Sequence, residues 1–330
     1  MFDKDYIALY SNFIDRLRCN ENINPQFMQY IFVTFYKNNY TRNYIKQTTG
    51  IQNLDLASML SSELVPIPSL SEQKKIADFL DYKCAEIDSI LEKTRTTIEE
   101  YKKLKQSIIT EAVTKGIRGN REMKDSGIEW IGEIPKEWNY NTAIQIFSQV
   151  KNKNIGLIEN NLLSLSYGKI IRKNIETTSG LLPESFDGYN IIEPDDIVLR
   201  LTDLQNDHKS LRVGIACERG IITSAYVTLR NRSKSVPKYL YYYLHSFDIS
   251  KGFYGMGAGV RQGLNWEGIK RLEILSPSID EQQEIANYLD IKCIEIDKLI
   301  EDKTKLLSEL EDYKKSVIYE YVTGKKEVVS

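Results

Sequence analysis

A chain that writes the same helix opening twice is committed to building two equivalent helices. Residues 71–88 read SEQKKIADFLDYKCAEID and residues 280–297 read DEQQEIANYLDIKCIEID, with 11 of 18 positions identical. The likeness continues past the opening. In the first copy Leu80, Cys84, Ile87, Leu91, Ile98, Tyr101, Ile108 and Ala112 keep a step of three and four, interrupted by Thr94 and Lys105. In the second, Leu289, Cys293, Ile296, Ile300, Leu307, Leu310, Val317 and Tyr321 do the same. An apolar period of 3.5 residues held over several heptads predicts a coiled-coil seam. Pro68 and Pro277 precede the helices, Ser71 and Asp280 are candidate caps, and Gly116 and Gly324 are stop signals. At ~1.5 Å per residue, roughly 43 residues make a rod of about 65 Å, and two rods of equal length predict a pair packed on each other.

Between the helices the heptads vanish. Short apolar runs with strand-like composition take their place: LLSLSYG (162–168), DDIVLRL (195–201), GIITSAYVTLR (220–230) and KYLYYYLH (238–245), separated by Gly, Asn and Asp. The expectation is a mixed α/β globular domain. Charge divides along the chain as well. Residues 150–276 hold 17 Lys+Arg against 13 Asp+Glu, whereas 280–323 hold 6 against 12. The globular part is therefore the anion-binding candidate, although the whole chain has a net charge of −2.

Three stretches carry the side chains that such binding needs. GKIIRKN (168–174) offers Lys169, Arg172 and Lys173; VLRLTD (198–203) offers Arg200; YGMGAGVRQGLNW (254–266) sets Arg261, Gln262, Asn265 and Trp266 beside glycines that permit close backbone approach. Arg, Gln and Asn pair bidentately with guanine and adenine edges. The plainer reading of each is a solvated loop charge, and of Trp266 a packing residue.

Other classes find little footing. Cys19, Cys84, Cys217 and Cys293 form no CxxC pair, and only His208 and His245 are there to join them, so no zinc site is expected. Cys84 and Cys293 occupy equivalent seam positions and are expected as small buried hydrophobes. No run reaches the ~18 apolar residues of a membrane helix, YIFVTF (30–35) being among the longest, and MFDKDYIALY lacks a signal-peptide pattern. The expected location is the cytoplasm, with no membrane partner. The sequence has no GxxxxGK[ST] loop and no FxGxG followed by [DN]PP[YF]. Pro194-Asp195 followed by Asp207-His208-Lys209 matches a degenerate PD…(D/E)xK nuclease pattern, in which carboxylates would hold magnesium.

Longer motifs then give a resemblance. KDSGIEWIGEIPKEW (124–138) resembles the entry to the second target-recognition domain of type I restriction-modification specificity subunits. IPSLSEQKKIADFLD (67–81) and LSPSIDEQQEIANYLD (275–290) resemble that family's two conserved helices, and SYGKIIRKN, IVLRLTDLQNDHKSLR and GIITSAY resemble segments of its recognition domains. The resemblance implies mixed α/β recognition domains plus two long helices packed as an antiparallel coiled coil that sets the spacing of two half-sites. It implies a non-catalytic subunit that reads double-stranded DNA and docks adenine-methyltransferase (modification) subunits and ATP-driven restriction subunits. No cofactor is expected in this chain; the family's partner subunits use S-adenosylmethionine, ATP and Mg.

On that pattern residues 1–67 are the C-terminal remnant of a first recognition domain, 68–118 the first conserved helix, 119–276 a complete second recognition domain, and 277–330 the second helix. INPQFMQYIFVTF (23–35) answers SVPKYLYYYLHSF (235–247), and QNLDL answers QGLNW, so that Gln52, Leu54 and Asp55 match Gln262, Leu264 and Asn265. The first domain is expected to lack its front part, with Met1 falling inside what should be a sheet, and a second copy of the chain is a further candidate partner. A binding module or decoy that sequesters methyltransferase subunits is the alternative function.

Overall fold

The computed structural model describes residues 11, 14–48, 51–175, 185–207, 210–256 and 263–329. Contacts divide the chain into two units, Met1–Glu100 with Leu299–Ser330, and Tyr101–Lys298. In the first unit, α1 (Pro25–Lys37) opens with Pro25 at a position where a missing N–H costs nothing, and Asn24 caps it by accepting from the Phe27 amide at 2.9 Å. A 3₁₀ turn (Tyr40–Tyr44) leads to the antiparallel pair β1 (Ile45–Thr48) and β2 (Ile51–Leu54), and then to α2 (Leu56–Ser62), whose N-cap Asp55 accepts from the Ser58 amide. The long helix α3 (Leu70–Lys115) follows, 46 residues in all.

The second unit is built on short strands. β3 (Met123–Asp125) pairs with β4 (Glu133–Pro135); β5 (Asn139–Thr142), α4 (Ala143–Ile146) and β6 (Phe147–Gln149) come next. β7 (Leu163–Ser166) and β8 (Lys169–Arg172) form a hairpin, followed by β9 (Asn190–Ile192), β10 (Ile197–Leu199), β11 (Val213–Ile215), β12 (Gly220–Ile222) and β13 (Val227–Asn231). Then come α5 (Pro237–Ile249), α6 (Trp266–Ile269), β14 (Glu273–Ser276) and the 44-residue α7 (Ile279–Val322). A four-stranded antiparallel sheet runs β11-β10-β13-β6, β12 pairs with β9, and β14 pairs with β5. The strand β10 is buried on both faces. Ile197 and Leu199 join a core with Tyr239, Tyr243 and Phe247 of α5, while Val198 between them joins Leu163, Leu165, Ile192 and Ile222. That is why IVL reads as a continuous apolar run instead of an alternation.

KYLYYYLH is not a strand. It lies in α5, where Tyr239, Leu240, Tyr243, Leu244 and Phe247 are buried at helical spacing. Three tyrosines in a row favour strand by propensity, but Pro237 at the first helical turn and burial against sheet and helices decide for helix. YIFVTF likewise lies within α1, and GIITSAYVTLR is two strands, β12 and β13, with a turn at Thr223–Tyr226 between them.

The long helices pack against each other antiparallel, seen within each unit separately. In the second unit Ile109, Ala112 and Val113 from the end of α3 share a core with Ile285, Ala286, Leu289 and Cys293 from the start of α7. In the first, Ile76, Ala77, Leu80 and Cys84 from the start of α3 share one with Val317, Ile318 and Val322 from the end of α7. Leu80, Cys84, Ile87, Leu91, Ile98, Leu289, Cys293, Ile296 and Val317 are buried as the seam predicts. Tyr101, Ile108, Ile300, Leu307 and Leu310 are only half-buried. Ile109 takes the place expected of Ile108, as the drift between a 3.6-residue helix and a 3.5-residue pattern allows.

The two breaks in the first heptad series have reasons. Thr94 is buried and donates to the Ile90 carbonyl. Lys105 meets Asp297 at 2.7 Å, and its repeat partner Lys314 meets Asp88 at 2.6 Å. Since Asp88 and Asp297 are themselves repeat-equivalent, one pairing rule is used twice. The caps differ from expectation: Ser69 and Ser278, not Ser71 and Asp280, accept from the Glu72 and Glu281 amides. Ser69 and Ser278 each follow a proline, whose ring fixes its own φ and so limits the ways the chain can enter the helix.

The repeat also governs how the shorter helices dock. Gln73 donates to the Pro68 carbonyl and accepts from the Asn24 amide at the start of α1; Gln282 donates to the Pro277 carbonyl and accepts from the Val236 amide at the start of α5. Tyr30 donates to Asp81 and Tyr242 to Asp290, again at matching places. Both glutamines are fully buried, so a lost partner is not replaced by water. Gln73→Ala and Gln282→Ala should each cost about 2 kcal/mol in the unit concerned. Urea unfolding followed by hydrogen exchange of α1 and of α5 measures each separately.

Candidate nucleic-acid interface

The β7–β8 hairpin turns on Tyr167 (φ 46°) and Gly168 (φ 77°), the left-handed pair that a two-residue hairpin requires. Gly168 also has no room for a side chain, since a Cβ there would stand 3.1 Å from Cβ of Leu211. The hairpin tip thereby lies close against Leu211, beside the loop of residues 200–207. On the other side of that loop, the Leu264 amide donates to the Leu201 carbonyl at 2.8 Å. The three stretches singled out in the sequence thus meet around one loop. A groove of about 510 Å³ lined by Thr202, Asp203, Asn206 and Gly263 lies at the junction.

The individual candidates fare differently. Lys169 and Lys173 are exposed. Arg172 is exposed but engaged, its Nε donating to both Glu218 carboxylate oxygens at 2.7 and 2.9 Å; this bond raises the Arg172 pKa and lowers that of Glu218. Arg200 is half-buried, its guanidinium 3.5 Å from Asp207. Asn265 caps α6, accepting from the Gly268 amide at 3.1 Å, and Trp266 packs against the main core. Arg261 and Gln262 lie outside the described residues, as do His208 and Lys209 of the nuclease-like pattern. Of that pattern Asp195 occupies a left-handed turn (φ 69°), and the Asp207 carboxylate accepts from the Ser210 amide. Among the described residues no cluster of three or more His, Cys, Asp or Glu could hold a metal ion.

Two features of this surface escaped the sequence reading. Tyr167, 79% exposed at the hairpin tip, presents an aromatic face two residues before Lys169; the signal for it was the Tyr-Gly pair between two apolar runs. Arg212 is the other, fully buried beneath the 200–207 loop and without any signal in the sequence pattern.

The KDSGIEWIGEIPKEW stretch acts as a clamp. Trp130 lies edge-on to Tyr243 and Phe247 of α5, and buried Trp138 donates to Glu281 of α7 at 3.0 Å. Arg121 completes the cluster, 2.7 Å from the same carboxylate. Gly116, at φ 76°, ends α3 against these groups; a Cβ would lie 3.0 Å from Glu281 and 3.1 Å from Trp138.

Residues 1–100 match the family model described as the type I restriction modification DNA specificity domain. The type I restriction enzyme MjaVIII specificity subunit of Methanocaldococcus jannaschii is 27% identical over 309 residues, 88% of this chain and 69% of that protein. A second chain of that organism, assigned as the MjaX specificity subunit, is 25% identical over 316 residues, 94% of this chain and 70% of the other. A solved structure from work on complex assembly and conformational transition of the type I R-M system superposes with a TM-score of 0.68 at 16% identity, covering 94% of this chain and 74% of that one; it speaks to the fold alone. These likenesses are to type I restriction-modification specificity subunits. The chain's named relatives are specificity subunits, not the catalytic components. Among the described residues no helix is long and apolar enough to cross a membrane.

Two titratable groups of α5 sit beneath this surface with opposite tendencies. Burial pushes Asp248 up to about 6, and burial together with the Lys105 charge holds His245 down at about 4. Between pH 4 and 6 the native Asp248 binds more proton than the unfolded chain, so its contribution falls as pH rises. His245 binds less, so its contribution is lost as pH falls. Each is worth roughly 3 kcal/mol by linkage, and the two oppose each other in one window. Asp248→Asn should therefore steepen the loss of stability on acidification, and His245→Gln should flatten or reverse it, read as urea midpoints at pH 4, 5 and 6.

Proposed function

We propose that this chain is the DNA-reading subunit of a type I restriction-modification assembly, in which residues 119–276 read one half-site and the helices of 68–118 and 277–330 dock modification subunits and, through them, restriction subunits. The carrying observation is that the β7–β8 hairpin, at Leu211, and the 263–266 segment, at Leu201, both approach the loop of residues 200–207, which together with Gly263 lines a groove. Lys169 and Lys173 suit phosphates, which position the duplex, and Arg200 and Asn206 suit base edges, which specify sequence. Tyr167 offers a flat apolar face beside them. Methylation of a base inside the duplex requires that it leave the stack, so a reading subunit needs a partner that holds the DNA from another side.

Docking is supported by apolar side chains that the seam leaves outside. Tyr82 and Ile291, Ile90 and Leu299, and Leu104 and Tyr313 are repeat-equivalent pairs, and each of the six is more than a third exposed. A surface written twice suits two copies of one partner. Residues 1–67 repeat the α5-type docking and the α6-type cap, which fits a second recognition module. The cytoplasm, where DNA and such partners meet, is the location that goes with this function.

The test is the methylome of a methylation-free host that expresses the chain with its neighbouring modification subunit. A split methylated motif is the expected result. A split palindrome would assign both halves to the 119–276 module through pairing of two copies. Co-purification with no new methylated adenine would reject DNA reading in favour of a sequestering decoy. In binding assays with the assembled complex, replacing Lys169 and Lys173 together by Gln should lower the log–log salt slope by about 2 while leaving the motif unchanged.

A further inference from the structure

Among the described cations of the second unit Arg212 stands apart because it has no exposure at all. A guanidinium cannot shed its charge, so burial is tolerated only where its donors are met. Here they are met by the loop above it. Nη1 donates to the carbonyls of Arg200 (3.1 Å) and Thr202 (2.8 Å), and Nη2 to those of Asp203 (3.2 Å) and Asp207 (2.5 Å). Nε donates to the Tyr254 hydroxyl at 3.1 Å, and that hydroxyl donates in turn to the Asp207 carbonyl at 3.0 Å. From below, Asp248 of α5 accepts from the Arg212 backbone amide at 2.6 Å, and the Arg200 amide donates to the Arg212 carbonyl.

The loop so held is an unusual one. Four of its carbonyls point inward at a single cation, Asp203 takes a left-handed conformation (φ 56°), and Thr202 and Asn206 are exposed at the groove, the Asn206 amide donating to the Asp203 carboxylate at 2.7 Å. Tyr254 belongs to the segment that runs on toward 263–266, so the same guanidinium ties two of the converging stretches together. Its planar fork of five donors meets carbonyls spread over eight residues, which an ammonium, with three donors radiating from one point, cannot do.

We propose that Arg212 is a positioning residue for sequence reading: through the carbonyls of residues 200–207 and through Tyr254, it holds the loop in one register so that Arg200 and Asn206 meet the DNA bases. This rests on the recognition function proposed above. Arg212 itself touches no DNA. Its loss loosens the choice of bases in one half-site and leaves assembly and the other half-site alone, whereas a residue that merely fills the core would lose everything together.

The experiment uses the full chain with its modification subunit in the methylation-free host, comparing wild type with Arg212→Lys, and couples the methylome to hydrogen exchange of the purified chain. Expected for Arg212→Lys are normal co-purification, roughly tenfold faster exchange at 201–207 with α5 unchanged, and a relaxed base preference in one half of the split motif. Unchanged exchange in the loop would overturn the proposal, as would joint loss of both half-sites and of co-purification. Should Arg212→Lys fail to fold, Tyr254→Phe removes only the hydroxyl between Nε and the Asp207 carbonyl. It should give a smaller relaxation at the same positions, and an unaltered motif with unaltered exchange would overturn the proposal. A wild-type chain that writes no methylated motif rejects the recognition function and the reading role with it, while the exchange data still decide whether Arg212 restrains the loop.

Discussion

A buried primary amide that bridges a helix start to a neighbouring helix is the interaction on which this architecture hangs. Gln73 and Gln282 satisfy both ends of their side chains with backbone groups, one belonging to the turn before the long helix and one to the first turn of a shorter helix. With the matched Tyr30–Asp81 and Tyr242–Asp290 bonds, they place α1 on α3 and α5 on α7 in the same way twice, although the apolar residues around them differ: Phe27 and Ile31 in one, Tyr239 and Tyr243 in the other. Hydrophobic contact is tolerant of such exchange. The directional bonds are not, and they preserve orientation while the packing varies.

From that anchoring the rest of the second unit follows outward. α5 packs on the sheet, Asp248 near its end receives the Arg212 amide, and Arg212 receives the loop. The chain of restraint runs from a helix of the seam, through a helix of the globular unit, to a surface loop some positions removed in sequence. Rigid elements thus reach the surface by way of polar bonds, which define angle as well as distance. A reading surface needs both, since a bidentate contact to a base edge fails when its donor is misaligned.

Periodicity and repetition made the long helices legible: nearly every seam residue named from spacing is buried or half-buried. The α5 helix was not legible as such, because a continuous apolar run of Tyr and Leu carries no period, and its neighbours decided its conformation. At the candidate interface the three stretches were found by composition, and their meeting at Leu201 and Leu211 could not have been, since it depends on loop closure between distant residues. Chemistry alone also misjudged occupancy. Arg172 and Asn265 carry the right groups for base edges, yet one is held by Glu218 and the other closes a helix start. Arg212 was passed over for the opposite reason: a buried arginine looks in sequence like any other.

The ion pairs of the helix pair hold a further consequence. Lys105 with Asp297 and Lys314 with Asp88 are one rule applied twice, and the seam residues around them are repeats of each other. At these two positions the rule cannot tell α3 from α7, but elsewhere the repeat is broken in charge. Arg95 meets Glu311 and Arg118 meets Glu284, where α3 carries Lys102 and Lys75 at the equivalent places. An α3 laid against another α3 would keep the shared pairs and set cation against cation at the others. The partner is thus coded where the two copies differ, while the register is coded where they agree.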